Sequence, residues 1–249
     1  MRVDILASGS TGNCIALTSD KNTILIDAGI AKTKIDRRLV EVGIQPSNVR
    51  AIFVTHAHGD HIKGLPLANK YRIPIFAGVG EWKTIQCIDE ALQRHIKARE
   101  KINLESIGFY VEPFGTHHDA MDPLGYAVCD YEGNKCSICL DTGKVDEYML
   151  SAMEYSNTYI IESNHEPNMV EAGNYPPSVK ARVLSDIGHL SNMQTAAALT
   201  KLVNGLGEKI YLTHLSSKNN MPGLAEMTTK RALAKKGFKE GKHYFLEVC

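Results

Sequence analysis

Short apolar runs that stop at a polar or glycine-containing turn recur along the whole chain. The run Ala51-Ile52-Phe53-Val54, for example, leads directly into the polar segment 55–61. Apolar runs of about four to eight residues bounded by turn residues are typical of buried strands, whereas apolar residues at three- and four-residue spacing indicate helices. Both patterns alternate here, which predicts an α/β fold. The predicted strands are 3–7, 14–18, 23–26, 51–54, 73–76, 107–114, 124–128, 137–140, 159–162 and 209–213.

Four segments have the spacing of helices. In the longest, 81–96, the side chains of Trp82, Ile85, Ile88 and Leu92 recur at helical intervals. This pattern favours a helix that packs these side chains into the core, rather than a surface on which bases stack. The predicted helices are 34–42, 62–71, 81–96 and one that begins at Asn192.

The composition limits the class of protein. A chain of 249 residues with 43% apolar content is long enough to bury a full core, so we expect a single domain over residues 1–249. The 28 basic and 28 acidic residues cancel, so contacts with phosphates must be local. No apolar run approaches the length of a membrane span or of a signal peptide, and we therefore expect no membrane partner.

The six cysteines do not form a metal-binding pattern. Cys136 and Cys139 make one C-x-x-C, but they lie in a predicted strand and no second pair with zinc-finger spacing accompanies them. We expect free thiols, and with them a cytoplasmic, reducing location. The cysteines are Cys14, Cys87, Cys129, Cys136, Cys139 and Cys249.

The segment His56-Ala57-His58-Gly59-Asp60-His61 carries the clearest chemistry. His56 and His58 point to the same side of an extended backbone and can bind one cation, and Asp60 and His61 follow where the chain turns and can face a second. Imidazoles with carboxylates suit zinc, manganese or iron better than magnesium or calcium. A polar loop whose histidines only cap a helix is the weaker interpretation for four such side chains in six residues.

Further ligand-type side chains follow other predicted strands. His117 and His118 come after 107–114, Asp141 comes after 137–140, and His214 comes after 209–213. The residues alone do not choose between His117 and His118. An aspartate at a strand end before glycine is well placed to bridge two metals. Because each candidate comes from a separate strand end, we predict a site for two divalent ions, with zinc or manganese favoured and iron also compatible.

A second pair of residues predicts the reaction. Glu162 ends the strand 159–162, and His189 precedes the helix that begins at Asn192. A carboxylate beside an imidazolium makes a competent general acid, which a phosphodiester needs at its leaving sugar oxygen more than a lactam or thioester does. A helix-capping or buried structural histidine is the alternative for His189.

The motif H-x-H-x-D-H after a hydrophobic strand resembles the signature of the metallo-β-lactamase superfold, an αββα four-layer sandwich. The blocks L-A-S-G-S-T-G-N, V-T-H-A-H-G-D-H-I-K-G-L and G-H-L-S-N look like the YycJ/WalJ-like family of its nuclease branch, related to ribonuclease Z and β-CASP enzymes. This resemblance extends over essentially the whole chain. The 26 residues 163–188 between Glu162 and His189 are too few for the β-CASP insertion, so we expect none.

The resemblance implies roles for particular residues. It selects His118 through its T-x-H-D pattern, and it gives Asp27 the role of holding a ligand histidine by its second nitrogen. Around the scissile phosphate it implies Ser10, Asn13, Asn164 and His165, although the loop 8–13 alone is more simply a hairpin turn. The expected sets are His56, His58 and His118 for one metal, Asp60, His61 and His214 for the other, and Asp141 as the bridge.

The predicted function is that of a binuclear metal-dependent phosphodiesterase, and the resemblance implies that it is a DNA exonuclease acting 5′ to 3′. Asp60 orients a metal-bridging hydroxide, and His189, steered by Glu162, protonates the leaving 3′ oxygen. The expected partner is nucleic acid, with DNA favoured and RNA open. The sequence does not determine the oligomeric state, and a dimer is compatible with the sequence.

Two rival hypotheses remain from the sequence. A small-molecule metallohydrolase, either a cyclic or nucleotide phosphodiesterase or a glyoxalase II-like thioesterase, is mildly favoured by the neutral charge and the missing insertion. A metal-stabilised binding module would predict gaps in the ligand set, and we find none. A further helix, the last one predicted in the chain, carries a basic edge that could contact phosphates, although a solvated face is the simpler interpretation. The residues of this edge are Lys230, Arg231, Lys235 and Lys236, with Lys218 before the helix.

Overall fold

Residues 1–86 and 88–249 are described by a computed structural model, in which the chain divides into two units. Unit 1 comprises residues 1–115 and 120–134, and unit 2 comprises residues 116–119 and 135–249. The five described cysteines are free thiols, as predicted. The same prediction for Cys87 lies outside the described residues.

Unit 1 is built on a mixed six-stranded sheet whose strands follow the order of the chain, β1 to β6. The first three strands pair antiparallel, and β3 to β6 pair parallel. Strands buried on both faces read as continuous apolar runs, and Ile24, Leu25 and Ile26 of β3 are fully buried. These six strands are β1 Arg2–Ala7, β2 Cys14–Ser19, β3 Asn22–Ile26, β4 Val49–Phe53, β5 Ile75–Gly78 and β6 Gln93–Ile96.

Three more strands of unit 1 form an antiparallel ladder: β7 Ile102–Leu104, β8 Phe109–Gly115 and β9 Leu124–Asp130. The antiparallel return of β9 along β8 confirms the prediction for 124–128. Tyr126 of β9 packs edge-on against Phe53, with ring centroids 5.4 Å apart, and Phe53 stacks on Phe76 at 4.6 Å. Because the Tyr126 hydroxyl donates to the Val54 carbonyl, this aromatic contact also anchors the end of β4.

Unit 2 contains four parallel strands in the order β10, β11, β12, β13. Helices connect successive strands, as parallel pairing requires. The carboxyl ends of β10, β11 and β12 therefore meet at one edge, where polar side chains of an α/β sheet can converge. The elements are β10 Lys135–Cys139, α4 Glu147–Met153, β11 Thr158–Glu162, α5 Pro167–Ala172, α6 Pro177–Val183, α7 Asn192–Leu202, β12 Glu208–Thr213, α8 Pro222–Lys235 and β13 Tyr244–Val248.

Among the described residues of unit 1, the first helix agrees with the predicted helix 34–42, whereas the helical structure after it is shorter than the sequence predicts. The helices are α1 Lys32–Glu41, α2 Gly59–Ile62 and α3 Leu67–Tyr71. The predicted helix 62–71 is interrupted because Gly64 packs its backbone into the Ala28–Ile30 loop, with its N–H donating to the Ala28 carbonyl at 2.6 Å. Along the described ranges 1–86 and 88–249, no helix is both long and apolar enough to cross a membrane.

The predicted helix 81–96 is wrong for the residues described. Short 3-10 turns occupy Glu81–Lys83 and Glu90–Leu92, and Gln93–Ile96 is strand β6. Ile85 and Leu92 are buried as predicted, at 5% exposure each. The helical spacing of these two residues reflects their burial and not an α-helix, and the predicted helix ends in residues that pair as β6 in parallel with β5. Tertiary pairing here overrides the local helical pattern.

Alanine substitution at Gly64 and at Gly223 tests this packing. A Cβ on Gly64 would lie 2.2 Å from the Ile30 carbonyl oxygen, whereas one on Gly223 meets nothing within 4 Å. We expect Gly64→Ala to destabilise the protein by about 1–3 kcal/mol, since backbone must shift. Gly223→Ala, the matched control in α8, should stabilise by about 0.4–1 kcal/mol. Urea midpoints measure both, and equal midpoints would contradict the close approach at Gly64.

Candidate functional site

The histidine motif forms a tight group in unit 1, which we call the unit 1 cluster: His56, His58, Asp60 and His61. His56 follows strand β4, and His58 caps α2, whose first turn carries Asp60. His56 Nε2 lies 2.9 Å from His58 Nδ1, and the rings of His56 and His61 are 4.1 Å apart. His61 Nε2 lies 3.6 Å from the Asp60 carboxylate. The predicted converging geometry of these four side chains is therefore present within the unit.

Asp27 lies beneath this cluster and orients it. Its carboxylate accepts hydrogen bonds from the backbone N–H and the hydroxyl of Thr55, at 2.8 and 2.9 Å, and lies 2.7 Å from His61 Nδ1. Burial raises the pKa of Asp27, and the contacts with His61 and Thr55 partly oppose that rise. Because Nδ1 of His61 faces Asp27, Nε2 is the nitrogen turned toward Asp60. Asp27 thus makes the contact predicted for it.

Glu81 is a second buried carboxylate in unit 1, and sequence reasoning missed it. Its two oxygens accept hydrogen bonds from the backbone N–H groups of Ala57, at 2.6 Å, and Asp122, at 2.7 Å. Ala57 lies between His56 and His58, so Glu81 holds the backbone that carries both imidazoles. The available signal was its position just after the strand β5, which the mistaken helix 81–96 concealed.

The unit 2 cluster consists of Asp141, Glu162, His189 and His214. One ligand-type atom from each lies within 4.8 Å of the others. His214 Nδ1 is 2.6 Å from Asp141, and His189 Nδ1 is 3.1 Å from Glu162 and 3.4 Å from Asp141. The predicted Glu162–His189 contact is therefore present. The same His189 atom also faces Asp141, which the sequence did not indicate.

The two buried carboxylates of the unit 2 cluster favour a positively charged group beside them. Glu162 is fully buried and Asp141 is 2% exposed, and two such carboxylates repel each other. Burial alone would lower the pKa of His189, but the Glu162 and Asp141 carboxylates outweigh it and raise that pKa to about 9. Two carboxylates with imidazole nitrogens are also a donor set that transition metals accept. The residues present thus fit a divalent cation.

The competing histidines of unit 2 occupy different surroundings. His118 is buried, its Nδ1 lies 3.1 Å from the Gly188 carbonyl oxygen, and its ring is 5.2 Å from that of His189. The His117 side chain is 34% exposed and its Nε2 lies 2.7 Å from Asp146. The structure therefore places His118 next to the unit 2 cluster. It pairs His117 with Asp146, the N-cap residue of α4.

The predicted phosphate-binding residues of unit 1 are in the loop between β1 and β2, which is a hairpin connection. Ser10 is exposed at its tip. Asn13 is buried; its Oδ1 accepts a hydrogen bond from the Gly9 N–H at 3.0 Å, and its Nδ2 lies 3.1 Å from His61 Nε2. Asn13 thus belongs to the surroundings of the unit 1 cluster, whereas Ser10 is open to solvent.

The corresponding residues of unit 2 follow strand β11. Asn164 Nδ2 donates to the His214 carbonyl at 2.9 Å and so ties the β12 end to the β11 end. His165 is 1% exposed, and burial lowers its pKa to about 4. Its imidazole is therefore neutral near pH 7 and can act as a hydrogen-bonding group rather than a cation.

The comparison with known families defines the class of protein. Residues 7–214 match the model of the metallo-beta-lactamase superfamily. The chain therefore belongs to this superfamily and is a metal-dependent hydrolase. The predicted fold class, the αββα sandwich with two mixed sheets, is confirmed by this match and by solved structures.

Individual relatives narrow the assignment within the superfamily. Exodeoxyribonuclease YycJ of Bacillus anthracis is 36% identical over 251 residues, which span 98% of this chain and 93% of the relative. Exodeoxyribonuclease WalJ of Streptococcus pneumoniae is 37% identical over 241 residues, which span 94% of this chain and 88% of the relative. The metallo-beta-lactamase fold protein YhfI from Bacillus subtilis superposes with a TM-score of 0.72 at 13% identity, covering 99% of this chain and 95% of that one. The predicted resemblance to the YycJ/WalJ-like family is confirmed.

Replacing Asp27 tests its role in orienting His61. Asp27→Asn keeps the shape but loses the carboxylate, so zinc affinity should fall about 10- to 100-fold while the fold persists. Competition with a chromogenic chelator measures the affinity. Asp36→Asn, which removes a surface ion pair with Lys70, is the control and should leave affinity unchanged. Equal affinity in both variants would show that Asp27 only stabilises the fold.

Proposed function

We propose that this hydrolase is a DNA exonuclease that removes nucleotides from 5′ ends by hydrolysing phosphodiester bonds. Two relatives that span nearly the whole chain are named exodeoxyribonucleases, which supports DNA over RNA as substrate. The observation that carries the proposal is the contact between Glu162 and His189, 3.1 Å apart, because it supplies a general acid.

The chemistry of the leaving group explains why this contact favours phosphodiesters. Cleavage expels a 3′ alkoxide, which needs a proton as the bond to phosphorus breaks. Glu162 accepts hydrogen bonds from the Thr142 N–H at 2.6 Å and the Leu190 N–H at 3.2 Å, so its carboxylate is held in place. Its other oxygen lies against His189 Nδ1. The remaining nitrogen, Nε2, is then the atom that would deliver the proton.

The proposed metal ligands retain the sequence assignment. Divalent ions held by these residues would lower the pKa of water and polarise the phosphodiester. Zinc and manganese suit this mixed imidazole and carboxylate set, and iron is compatible with it. We propose as ligands His56, His58, Asp60, His61, His118, Asp141 and His214.

In this proposal, protein side chains also orient the attacking water and bind the phosphate. Asp60, at the start of α2, would orient the attacking water. Ser10, Asn13, Asn164 and His165 would contact the phosphate oxygens through neutral donors. Burial raises the pKa of the Cys139 thiol, so this side chain stays protonated near neutral pH. We further propose that residues 1–249 act as one domain without a β-CASP insertion, in the reducing cytoplasm.

Digestion of end-labelled DNA tests this function. Duplexes and single strands, with and without a 5′ phosphate, are incubated with enzyme loaded with manganese or zinc. We expect progressive loss of nucleotides from the 5′ end and no loss with Asp60→Ala, which controls for contaminating nuclease. If no DNA is cut while a cyclic nucleotide or a thioester is hydrolysed, the enzyme is a small-molecule hydrolase instead.

Replacement of His189 tests the general acid. His189→Ala should keep its metal content and lose about two to four orders of magnitude in kcat on DNA. A chromogenic phosphodiester with a good leaving group needs little protonation and should lose much less. Metal analysis and both rates are measured on one preparation. Loss of metal in the variant would make His189 a ligand, and equal losses on both substrates would remove its role as an acid.

A further inference from the structure

We propose that a groove between α7 and α8 of unit 2 binds the backbone of the DNA strand that extends beyond the reaction site. This inference extends the proposed function and rests on it, since the inference presupposes that DNA is the substrate. The groove has a volume of about 690 Å³. The alanines Ala196, Ala197 and Ala232 line it, together with Met193 at the start of α7 and basic side chains of α8.

The groove is basic on one side, and none of its lining residues in the described part of the chain is acidic. Arg231 and Lys235 are exposed and four residues apart on α8, which places them on the same helix face. Lys230, in contrast, pairs with Glu226 and Glu240 and does not line the groove. Neither Arg231 nor Lys235 forms an ion pair within residues 1–86 and 88–249. Arg231 and Lys235 therefore form a local positive strip in a protein of zero net charge.

The residues at one end of the groove are close in sequence to the unit 2 cluster. Ser191, two residues after His189, caps α7 and forms a capping box with Gln194. The Gln194 side chain also donates to the Gly143 carbonyl at 3.0 Å, beside Asp141. The first turn of α7 is therefore fixed to the loops of the cluster. Met193 in that turn is 65% exposed and lines the groove.

These features fit a nucleic-acid strand better than a second copy of the chain. Phosphates would contact the basic side, and sugars would pack on the alanines and Met193. A symmetric dimer through this groove would bring identical basic strips together, which like-charge repulsion disfavours. The α7 helix is about 16 Å long, which is enough to follow several nucleotides.

Charge reversal in the groove provides the test. The double variant Arg231→Glu/Lys235→Glu is compared with Lys21→Glu/Lys101→Glu, which makes the same charge change at exposed positions of unit 1. KM for a labelled single strand of about 30 nucleotides is measured with metal-loaded enzyme over a salt series. We expect the groove variant to raise KM about tenfold near 0.1 M salt and to reduce its salt slope by about one to two.

Turnover of a small chromogenic phosphodiester should be unchanged in the groove variant, because that substrate does not reach α8. Arg231→Gln/Lys235→Gln should shift KM in the same direction by a smaller factor. Equal KM values in the groove and control variants would overturn the groove while leaving the exonuclease function intact. A change of oligomeric mass by light scattering, without a change in KM, would assign the groove to a second copy. If the wild type digests no DNA, the proposed function and this inference fail together.

Discussion

Both clusters depend on carboxylates held out of water at the ends of buried strands. Asp27, Glu81 and Glu162 are at most 2% exposed. A buried carboxylate without partners would cost several kcal/mol. Each of the three instead accepts at least two hydrogen bonds from backbone or hydroxyl donors. Those bonds offset the loss of water and fix the direction of the remaining contacts. Asp27 thereby orients His61, and Glu162 orients His189.

The strand ends also carry backbone strain where these side chains turn out of the sheet. Asp27, Asp141 and His214 have φ values of 60°, 47° and 54°, which non-glycine residues rarely adopt. Each costs on the order of 1–3 kcal/mol, and persists only where surrounding contacts determine the conformation. At Asp141 and His214 the contact is mutual, with 2.6 Å between carboxylate and imidazole. The strain therefore lies where the chain positions its chemically active groups.

The strands were predictable because buried parallel strands are apolar throughout, as Ile24 to Ile26 are. The region around Glu81 was not, because Ile85, Ile88 and Leu92 are buried at helical spacing without forming an α-helix. What holds this segment is pairing of β6 with β5 and the hydrogen bonds of Glu81 to Ala57 and Asp122. All of these are contacts between residues distant in sequence, which local spacing does not contain.

The sequence by itself determined the class of fold and the types of residue in the site. Spacing of two residues in an extended segment pairs His56 with His58, and apolar runs place acids and histidines at strand ends. Only the tertiary structure decided which neighbours these side chains meet. It placed His118 rather than His117 beside His189, set Glu162 between His189 and His214, and gave Glu81 its role. The physical reason is that spacing encodes the direction of a side chain along its own element, whereas its partners depend on how separate strands and loops pack.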